Sequence, residues 1–296
     1  RVFLSIGIDG AGLIGVLAGG QNSGLLQGRI SVQAGVTSGY VNIGHSSGTG
    51  QFSVDNISVK ELPGNHAVAA NNGTARPVLK STGGLYYLAF TTDDAMSTAS
   101  IDFSGTDEMT VFAGVTKNSD AAAGCLIELS ANYSSSNGTF TVFAPGSNFP
   151  TGFDTPYRGT STVTAPGFAA AAPTTKIITN LYDISSPSAI IRSNGSQVFS
   201  STTSAGTGNF GNHPLYIGAR NKSASFLNGS LYSLIVRGKT STVDEIHSTE
   251  NYVAGKTGLG TYTWAFEYLV DDSGNQITTD SGDSIFVNET LTITPP

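Results

Sequence analysis

The segment Leu85-Tyr-Tyr-Leu-Ala-Phe90 opens a series of short strand-like stretches that runs through the middle of the chain. The stretches are rich in β-branched, aromatic and other apolar residues, and Gly, Pro, Asn or Ser residues separate each from the next. Such spacing predicts a β-sandwich or jelly roll, because many short strands with frequent turns are typical of two stacked sheets. The predicted strands are residues 85–90, 109–116, 126–130, 139–143, 176–183, 188–192, 214–219 and 230–237.

The composition also indicates an all-β chain. Gly contributes 37 of the 296 residues and only 12% of residues are charged, a balance that favours turns between short strands over charged helices. The formal net charge of -7 argues against nucleic acid as a partner, because phosphate binding depends on clustered Lys and Arg. Cys125 is the only cysteine, so an intrachain disulfide is excluded. Apolar stretches fall short of the roughly 20 residues that a spanning helix needs, so we expect no membrane span.

The segments that flank this series predict further units. Residues 1–62 predict about five short strands, at residues 2–8, 13–17, 28–33, 40–43 and 51–61. These are too few for a complete sandwich, so they predict the C-terminal part of a sandwich domain or one that neighbouring chains complete. Breakers such as Pro63, Gly64 and Pro77 predict a linker over residues 63–82, before a sandwich over residues 83–260.

Two departures from this pattern follow in the last part of the chain. Residues 242–256 have apolar side chains near helical spacing, with Ser241 or Thr242 as a cap, and predict one short helix. Residues 261–296 return to alternating aromatic positions and predict a β-hairpin-like extension suited to packing on a neighbour. The proline-rich stretch 144–173 has no clean period and predicts a long loop.

Several motifs resemble domains of phage structural proteins. Val54-Asp-Asn-Ile-Ser-Val-Lys-Glu-Leu-Pro63 is similar to the closing strand of carbohydrate-binding-module-like β-sandwiches in those proteins. Pro214-Leu-Tyr-Ile-Gly-Ala-Arg220, Leu227-Asn-Gly-Ser-Leu-Tyr-Ser-Leu-Ile-Val236 and the helix with Glu250, Tyr252, Lys256 and Gly258 resemble the closing elements of a concanavalin A-like lectin/glucanase (laminin-G-like) domain. The resemblance frames about 180 residues and implies an all-β, concanavalin A-like jelly-roll sandwich, preceded by a partial β-sandwich and followed by a C-terminal β extension.

The same resemblance implies a function and a place of action. It indicates a non-enzymatic structural or adhesion protein of the virion, a tail fibre, head fibre or capsid decoration, exposed on the virion surface or in the extracellular medium. The implied partners are other virion subunits, further copies of the chain in a homo-oligomer, and glycans of the host surface. Because this fold hosts lectins, hydrolases, receptors and architectural modules alike, the fold does not decide the function. The hypothesis rests on the resemblance, on the missing pair of catalytic acids and on the acidic, low-charge composition.

Two glycine-rich motifs suggest enzyme chemistry but lack its context. Gly10-Ala-Gly-Leu-Ile-Gly15 fits the dinucleotide-binding pattern, yet the glycines that follow it disfavour the helix that this motif needs. Gly44-His-Ser-Ser-Gly48 fits the nucleophile-elbow pattern of hydrolases but joins two predicted strands. Both patterns are read as turns.

A secreted glycoside hydrolase, or its carbohydrate-binding module, is the alternative hypothesis. Glucanases of this fold carry paired acids on one strand, a pattern such as Glu-x-Asp-x-Glu, and the sequence has none. Glu128 and Asp183 are isolated strand carboxylates. A pair of carboxylates could still converge from separate strands, so the hydrolase hypothesis stays open.

Glycan and metal sites are predicted from loop residues. Sugar binding needs an aromatic ring for the pyranose face and planar polar groups for its hydroxyls. The candidates on two predicted loops are Tyr133, Phe149, Phe153, Tyr157 and Arg158, although such aromatics also serve as loop anchors or subunit contacts. No cofactor is expected, and the four scattered histidines do not suggest zinc. Calcium stays open, because oxygen ligands can come from the loop residues Asp93, Asp94, Asp120 and Asp154, with turn formation as the simpler explanation.

Overall fold

The computed structural model describes residues 2–8, 12–19, 39–45, 64–69, 75–91, 93–132, 135–164, 166–268 and 286–294. The chain divides into two compact units, Arg1–Gly64 and Asn65–Pro296. In the first unit, three antiparallel strands form one sheet in the order β2-β1-β3. Their bounds are β1 (Val2–Ile8), β2 (Gly12–Gly19) and β3 (Gly39–His45). The predicted strands at residues 28–33 and 51–61 lie outside the described residues.

Within its described residues, the second unit contains two large antiparallel sheets and one small two-stranded sheet. The nine-stranded sheet has the order β13-β12-β10-β9-β18-β7-β4, with β11 paired to β10 and β14 paired to β11. Its strands are β4 (Val68–Ala69), β7 (Met96–Asp102), β9 (Cys125–Leu129), β10 (Thr139–Phe143), β11 (Gly152–Asp154), β12 (Tyr157–Arg158), β13 (Thr162–Val163), β14 (Gly167–Ala169) and β18 (Asn212–Ile217).

The seven-stranded sheet has the order β17-β16-β15-β8-β19-β6-β5. Its strands are β5 (Val78–Thr82), β6 (Leu85–Phe90), β8 (Glu108–Lys117), β15 (Thr174–Asp183), β16 (Ser188–Ser193), β17 (Ser196–Ser201) and β19 (Gly229–Arg237). The inner faces of the two sheets share one apolar core, with Val111, Val115, Ile127, Leu129 and Ile191 among its buried members. The prediction of an all-β sandwich is therefore confirmed.

One helix, α1 (Val243–Thr257), packs on the outside of the seven-stranded sheet. A capping box fixes its start: Thr242 accepts a hydrogen bond from the Glu245 backbone, and the Glu245 carboxylate accepts one from the Thr242 backbone. Gly258 ends it with φ of 71°, a left-handed conformation that glycine adopts without strain. The predicted helix over 242–256 is confirmed. Among the described residues, no helix combines the length and apolar character needed to cross a membrane.

The helix explains why the central strand β8 is apolar on both faces. Val253 and Ala254 of the helix form a second buried cluster with Phe112 and Ile177, on the face of the sheet opposite the main core. A strand covered on both faces lacks the apolar and polar alternation of a half-exposed strand.

After the helix, β20 (Thr261–Tyr268) pairs antiparallel with β21 (Phe286–Thr294). The side-chain amide of Asn251 holds the start of β20 to the helix. It accepts a hydrogen bond from the Tyr262 backbone N–H and donates one to the Tyr262 carbonyl, at 2.6 Å and 2.9 Å.

The structure corrects the prediction of a long loop over residues 144–173. This stretch contains β11, β12, β13 and β14, each of two or three residues. Strands this short show no recognisable alternation, which is why the sequence pattern missed them. In addition, β4 and β5 lie inside the segment 63–82 that was predicted as a linker, and they form one edge of each sheet.

Candidate functional site

A row of polar side chains crosses the outer face of the nine-stranded sheet. In the strand register Ser97 lies opposite Tyr216, Tyr216 opposite Glu128, and Glu128 opposite Thr141. Residues directly opposite in an antiparallel pair project to the same face. The next residues along the strands, including Ile127 and Val142, belong to the core, so this row points away from the core.

A second row lies two residues further along the same strands. It contains Ser130, which follows Glu128 by two positions, and Thr139, which precedes Thr141 by two. Arg158 of β12 lies opposite Thr139 and extends the row towards the edge of the sheet. We call Ser97, Glu128, Ser130, Thr139, Thr141, Arg158 and Tyr216 the polar face.

Glu128 lies near the centre of the polar face and is 1% exposed. The Ser130 hydroxyl donates a hydrogen bond of 2.6 Å to its Oε1. The Nε atom of Arg220 lies 3.1 Å from its Oε2 and forms an ion pair with it. Burial raises the pKa of the Glu128 carboxyl, although the Ser130 hydrogen bond and the Arg220 charge oppose that shift. Glu128 is therefore a desolvated carboxylate with few protein partners.

Arg220 forms the border of the polar face beside the end of β18. Its guanidinium lies 5.8 Å from the centre of the Phe143 ring, and its side chain is 31% exposed. A tight turn fixes its backbone, since Arg220 N–H donates to Ala224 O at 2.8 Å and Ala224 N–H donates back at 3.1 Å. This turn and the ion pair to Glu128 hold the cation where charge and ring are both accessible.

Two hydroxyls of the polar face have unused hydrogen-bonding capacity. The Oγ1 atoms of Thr139 and Thr141 are buried, and neither has a hydrogen-bond partner among the described residues. Buried polar groups in proteins nearly always have a partner, and one without a protein partner often marks a place for a ligand or water. Together with Glu128 and Arg220 they give a fixed set of donors and acceptors on a rigid sheet.

The structure places the five predicted glycan-binding residues in different surroundings. Phe153 of β11 is fully buried, and its ring stacks on Phe168 at 5.2 Å. Tyr157 of β12 is also fully buried and stacks on Tyr182 at 4.8 Å. Both were expected on loops with accessible rings, but the short strands turn them into the core, so this arrangement leaves neither ring face open to a sugar.

The other three predicted glycan-binding residues are not among the fully buried core residues that the structure describes. Phe149 is partly buried, with its ring close to Gly167. Arg158 is partly buried and belongs to the polar face. Tyr133 lies outside the described residues. Of the described candidates, the polar face therefore includes Arg158 alone, and glycan binding by all five stays a prediction.

Two of the candidate calcium ligands, Asp94 and Asp120, are engaged by protein groups. Asp94 accepts hydrogen bonds from the backbone and hydroxyl of Thr91, at 2.7 Å and 2.8 Å, while Asp93 is exposed. Asp120 accepts a hydrogen bond from the Ala172 backbone and pairs with the buried Lys117. Among the residues with described side chains, no group of three or more His, Cys, Asp or Glu residues could hold a metal ion.

Asp154 is a candidate calcium ligand with an unused hydrogen-bond acceptor among the described residues. Its Oδ2 accepts two hydrogen bonds from Asn148, whereas its buried Oδ1 has no hydrogen-bond partner within the described part of the chain. Burial raises the pKa of this carboxyl, and the Asn148 hydrogen bonds oppose the shift. These contacts do not test calcium binding, which stays a prediction.

Sequence reasoning missed most of the polar face. Glu128 was noted only as an isolated strand carboxylate, and Ser130, Thr139, Thr141, Tyr216 and Arg220 were not considered as site residues. A signal was present, because polar residues alternate with core residues in Ile127-Glu-Leu-Ser130 and in Thr139-Phe-Thr-Val142. Which strand lies beside which cannot be read from that alternation.

Comparisons with known proteins give distant structural matches. No protein-family model matches the chain, and no curated protein matches it in sequence. The botulinum neurotoxin type G receptor-binding domain matches with a TM-score of 0.47 and 12% identity, over 73% of this chain and 50% of that chain. A second structure of the serotype G binding domain matches with a TM-score of 0.49 and 11% identity, over 78% and 63%.

A carbohydrate-binding module also matches. The CBM40 of a Ruminococcus gnavus IT-sialidase, solved with α2,3 sialyllactose, has a TM-score of 0.38 and 15% identity, over 49% of this chain and 83% of that chain. This chain spans about half the length of the first neurotoxin structures that it matches. Identities and TM-scores this low do not transfer a ligand from those proteins to this chain.

Proposed function

We propose that this chain is a non-enzymatic glycan-binding module of a virion or another extracellular surface structure, and that the polar face is its sugar site. The observation that carries the proposal is a buried carboxylate, Glu128, on the same sheet as the hydroxyls of Thr139 and Thr141, which have no hydrogen-bond partner among the described residues. Polar groups fixed on a sheet suit a ligand that presents several hydroxyls at set angles.

The chemistry of each group matches part of a sugar. Each carboxylate oxygen accepts two hydrogen bonds, so Glu128 keeps acceptor capacity beside its contacts with Ser130 and Arg220. The threonine hydroxyls donate and accept, and the guanidinium of Arg220 adds donors. The Phe143 ring below Arg220 supplies an apolar surface for the C–H face of a pyranose.

Access is expected from the border of the polar face. Arg220, Arg158 and Phe143 are partly exposed, whereas Glu128, Thr139 and Thr141 are buried. A sugar would therefore meet the two arginines first and reach the carboxylate only at full insertion. Binding is expected to favour a terminal sugar residue over the middle of a chain.

The virion role is supported by sequence resemblance. The sequence segment 54–63 and the segments between residues 214 and 258 resemble domains of phage structural proteins. In that role the chain is a tail-fibre, head-fibre or capsid-decoration component that assembles with other virion subunits and with copies of itself. Mass photometry of the purified chain and negative-stain imaging of particles test this part, and a monomer that no particle carries would contradict it.

Glycoside hydrolysis is the second candidate, favoured by one observation. A carboxyl with a raised pKa suits a general acid, and Glu128 is one. Hydrolysis also needs a second carboxylate across the scissile bond. Within the described residues, the groups that shift the pKa of Glu128 are Ser130 and Arg220, and neither is a carboxylate. Release of reducing sugar from bacterial polysaccharides, abolished by Glu128→Gln, would establish the hydrolase instead.

Glycan-array binding followed by calorimetry tests the sugar site. The wild-type chain is expected to bind a defined set of glycans, and Glu128→Gln and Arg220→Ala are expected to weaken the best of them by at least about tenfold. Glu245→Gln is the matched control, because it makes the same change on the helix surface, and it should leave affinity unchanged. An array without specific binders, or equal affinities for Glu128→Gln and Glu245→Gln, would contradict the proposal.

A further inference from the structure

A cavity of about 510 Å³ lies between the two sheets, at the edge formed by β4 and β5. Leu79, Leu88 and Leu231 lie directly opposite one another across β5, β6 and β19 and form one wall. Met96 and Ile217, which are opposite each other on β7 and β18, contribute to the facing wall. The cavity therefore lies between the inner faces of the two sheets and is open to solvent at this edge.

The cavity exists because the two sheets differ in extent at this edge. The edge strand of the nine-stranded sheet, β4, has two residues, whereas β5 and β6 have five and six. As a result, apolar residues of the seven-stranded sheet project beyond the facing sheet, and Leu79 and Tyr86 are each 67% exposed. Large apolar side chains this exposed beside an apolar cavity mark a binding site in many soluble proteins.

The lining offers little hydrogen bonding to a ligand. The Thr98 hydroxyl, which lies in the wall, already donates to Ala99 O at 2.6 Å and accepts from the Leu215 N–H at 3.1 Å. Tyr87 and Tyr232 also line it, and their rings pack together at 5.2 Å. A polypeptide segment lying inside the cavity would lose the water partners of its backbone N–H and C=O groups, and the side chains of these walls would replace few of them.

We propose that this cavity binds an apolar small molecule of the fatty-acid type, with its chain between the sheets and its polar end at the rim. The volume lies within the range of roughly 300 to 1,000 Å³ that small-molecule sites occupy. Burial of the apolar chain against leucine, isoleucine and methionine side chains supplies the driving force. The rim is formed by the exposed Tyr86 and Asn65, where a carboxylate or hydroxyl keeps its contact with water. This site is independent of the polar face.

Titration with the fluorescent polyene cis-parinaric acid tests the proposal. The wild-type chain is expected to give a saturable rise in fluorescence with one probe per chain. Leu88→Trp and Ile101→Trp fill the cavity from opposite sheets, and each is expected to weaken probe binding by at least about tenfold. Val198→Trp is the matched control, because Val198 is 44% exposed on the edge strand at the other end of the seven-stranded sheet.

The outcomes separate the proposal from other occupants. The proposal is supported if both cavity variants bind the probe more weakly while they still unfold cooperatively on heating, and if Val198→Trp binds it with wild-type affinity. Unsaturable binding, or wild-type affinity in either folded cavity variant, overturns it. A third outcome would also overturn the proposal: the wild-type chain does not bind the probe and forms a dimer, and Tyr86→Ser dissociates that dimer. This result would show that a second copy of the chain covers this edge.

Discussion

The guanidinium of Arg192 and the carboxylate of Glu250 form an ion pair that joins strand β16 to the helix, with Nε 3.0 Å from Oε1. A second contact, from Nη2 to Oε2, measures 3.2 Å, and Thr179 donates to the same carboxylate at 2.8 Å. The Glu250 side chain is fully buried and that of Arg192 is 13% exposed. Because the pair lies between the sheet and the helix, each partner depends on the other for its neutralising charge.

Glu250→Gln is expected to destabilise the chain strongly. The substitution leaves the Arg192 charge desolvated without a counter-ion, and losing one partner of a buried pair typically costs about 3–5 kcal/mol. Urea denaturation followed by circular dichroism measures the change in the free energy of unfolding. Lys239→Ala is the control, because the Lys239–Glu245 pair is 52% and 37% exposed, and pairs of that kind contribute about 0–1 kcal/mol. Equal losses in the free energy of unfolding for the two variants would show that the buried ion pair contributes no more than the exposed one.

Gly114→Ala is expected to disturb the contact between helix and sheet. A Cβ at position 114 of β8 would lie 2.4 Å from Cγ2 of Thr257 and 3.0 Å from Cγ1 of Val253. Both neighbours are buried and β-branched, so they cannot rotate away cheaply. Overpacking of this kind costs about 1–3 kcal/mol, and thermal unfolding should show it as a lower midpoint.

Gly255→Ala makes the same change in the helix and is expected to act in the opposite direction. A Cβ at position 255 meets no atom within 4 Å, and the residue is exposed. Alanine is favoured over glycine inside a helix by up to about 1 kcal/mol. The midpoint of thermal unfolding should rise for this variant, and a fall comparable to that of Gly114→Ala would contradict the packing described for the helix.

Thr141→Val is expected to stabilise the folded chain while weakening glycan binding. Valine keeps the shape of threonine and removes a buried hydroxyl that has no hydrogen-bond partner in the described part of the chain. Burying such a group costs about 1–3 kcal/mol, so the free energy of unfolding should increase. Urea denaturation and calorimetry with the best glycan measure the two effects. A destabilised variant would show that the hydroxyl has a structural partner.

The pH dependence of stability is expected to report on Glu128. Burial raises the pKa of this carboxyl in the folded chain above its ordinary value of 4.5, so the folded state holds the proton more tightly than the unfolded state. Its contribution therefore favours folding at low pH and is lost as the pH rises through the folded pKa. Glu128→Gln should remove this part of the pH profile measured by urea denaturation. A profile with the same slope in both proteins would contradict the raised pKa.

The sequence predicted the parts of the fold that depend on local pattern. Residues 109–116 were predicted as a strand and lie within β8. The prediction succeeded because a strand buried on both faces is a continuous run of apolar and β-branched residues, which is visible in the sequence. The helix was predictable from its end at Gly258 and from its two candidate caps, Ser241 and Thr242, of which the structure uses Thr242. Strand β7 was missed because Met-Ser-Thr-Ala-Ser-Ile-Asp is dominated by small polar residues that resemble a turn.

The candidate site was harder to predict, because it depends on which strands become neighbours. Tyr216 and Glu128 are 88 positions apart, the difference between their residue numbers, yet they lie opposite each other in adjacent strands. Arg220 reaches Glu128 from a turn of the same distant segment. The loop placement of Phe153 and Tyr157 was wrong for the opposite reason, since a proline-rich context predicted loops where short strands direct their rings inward.

A crystal structure with the best glycan of the array tests the sugar site most directly. The account predicts that sugar oxygens lie within hydrogen-bond distance of Glu128 and Thr141, with the guanidinium of Arg220 at the border of the sugar. Sugar density elsewhere, for example beside Phe149 with the polar face unchanged from the free protein, would contradict it.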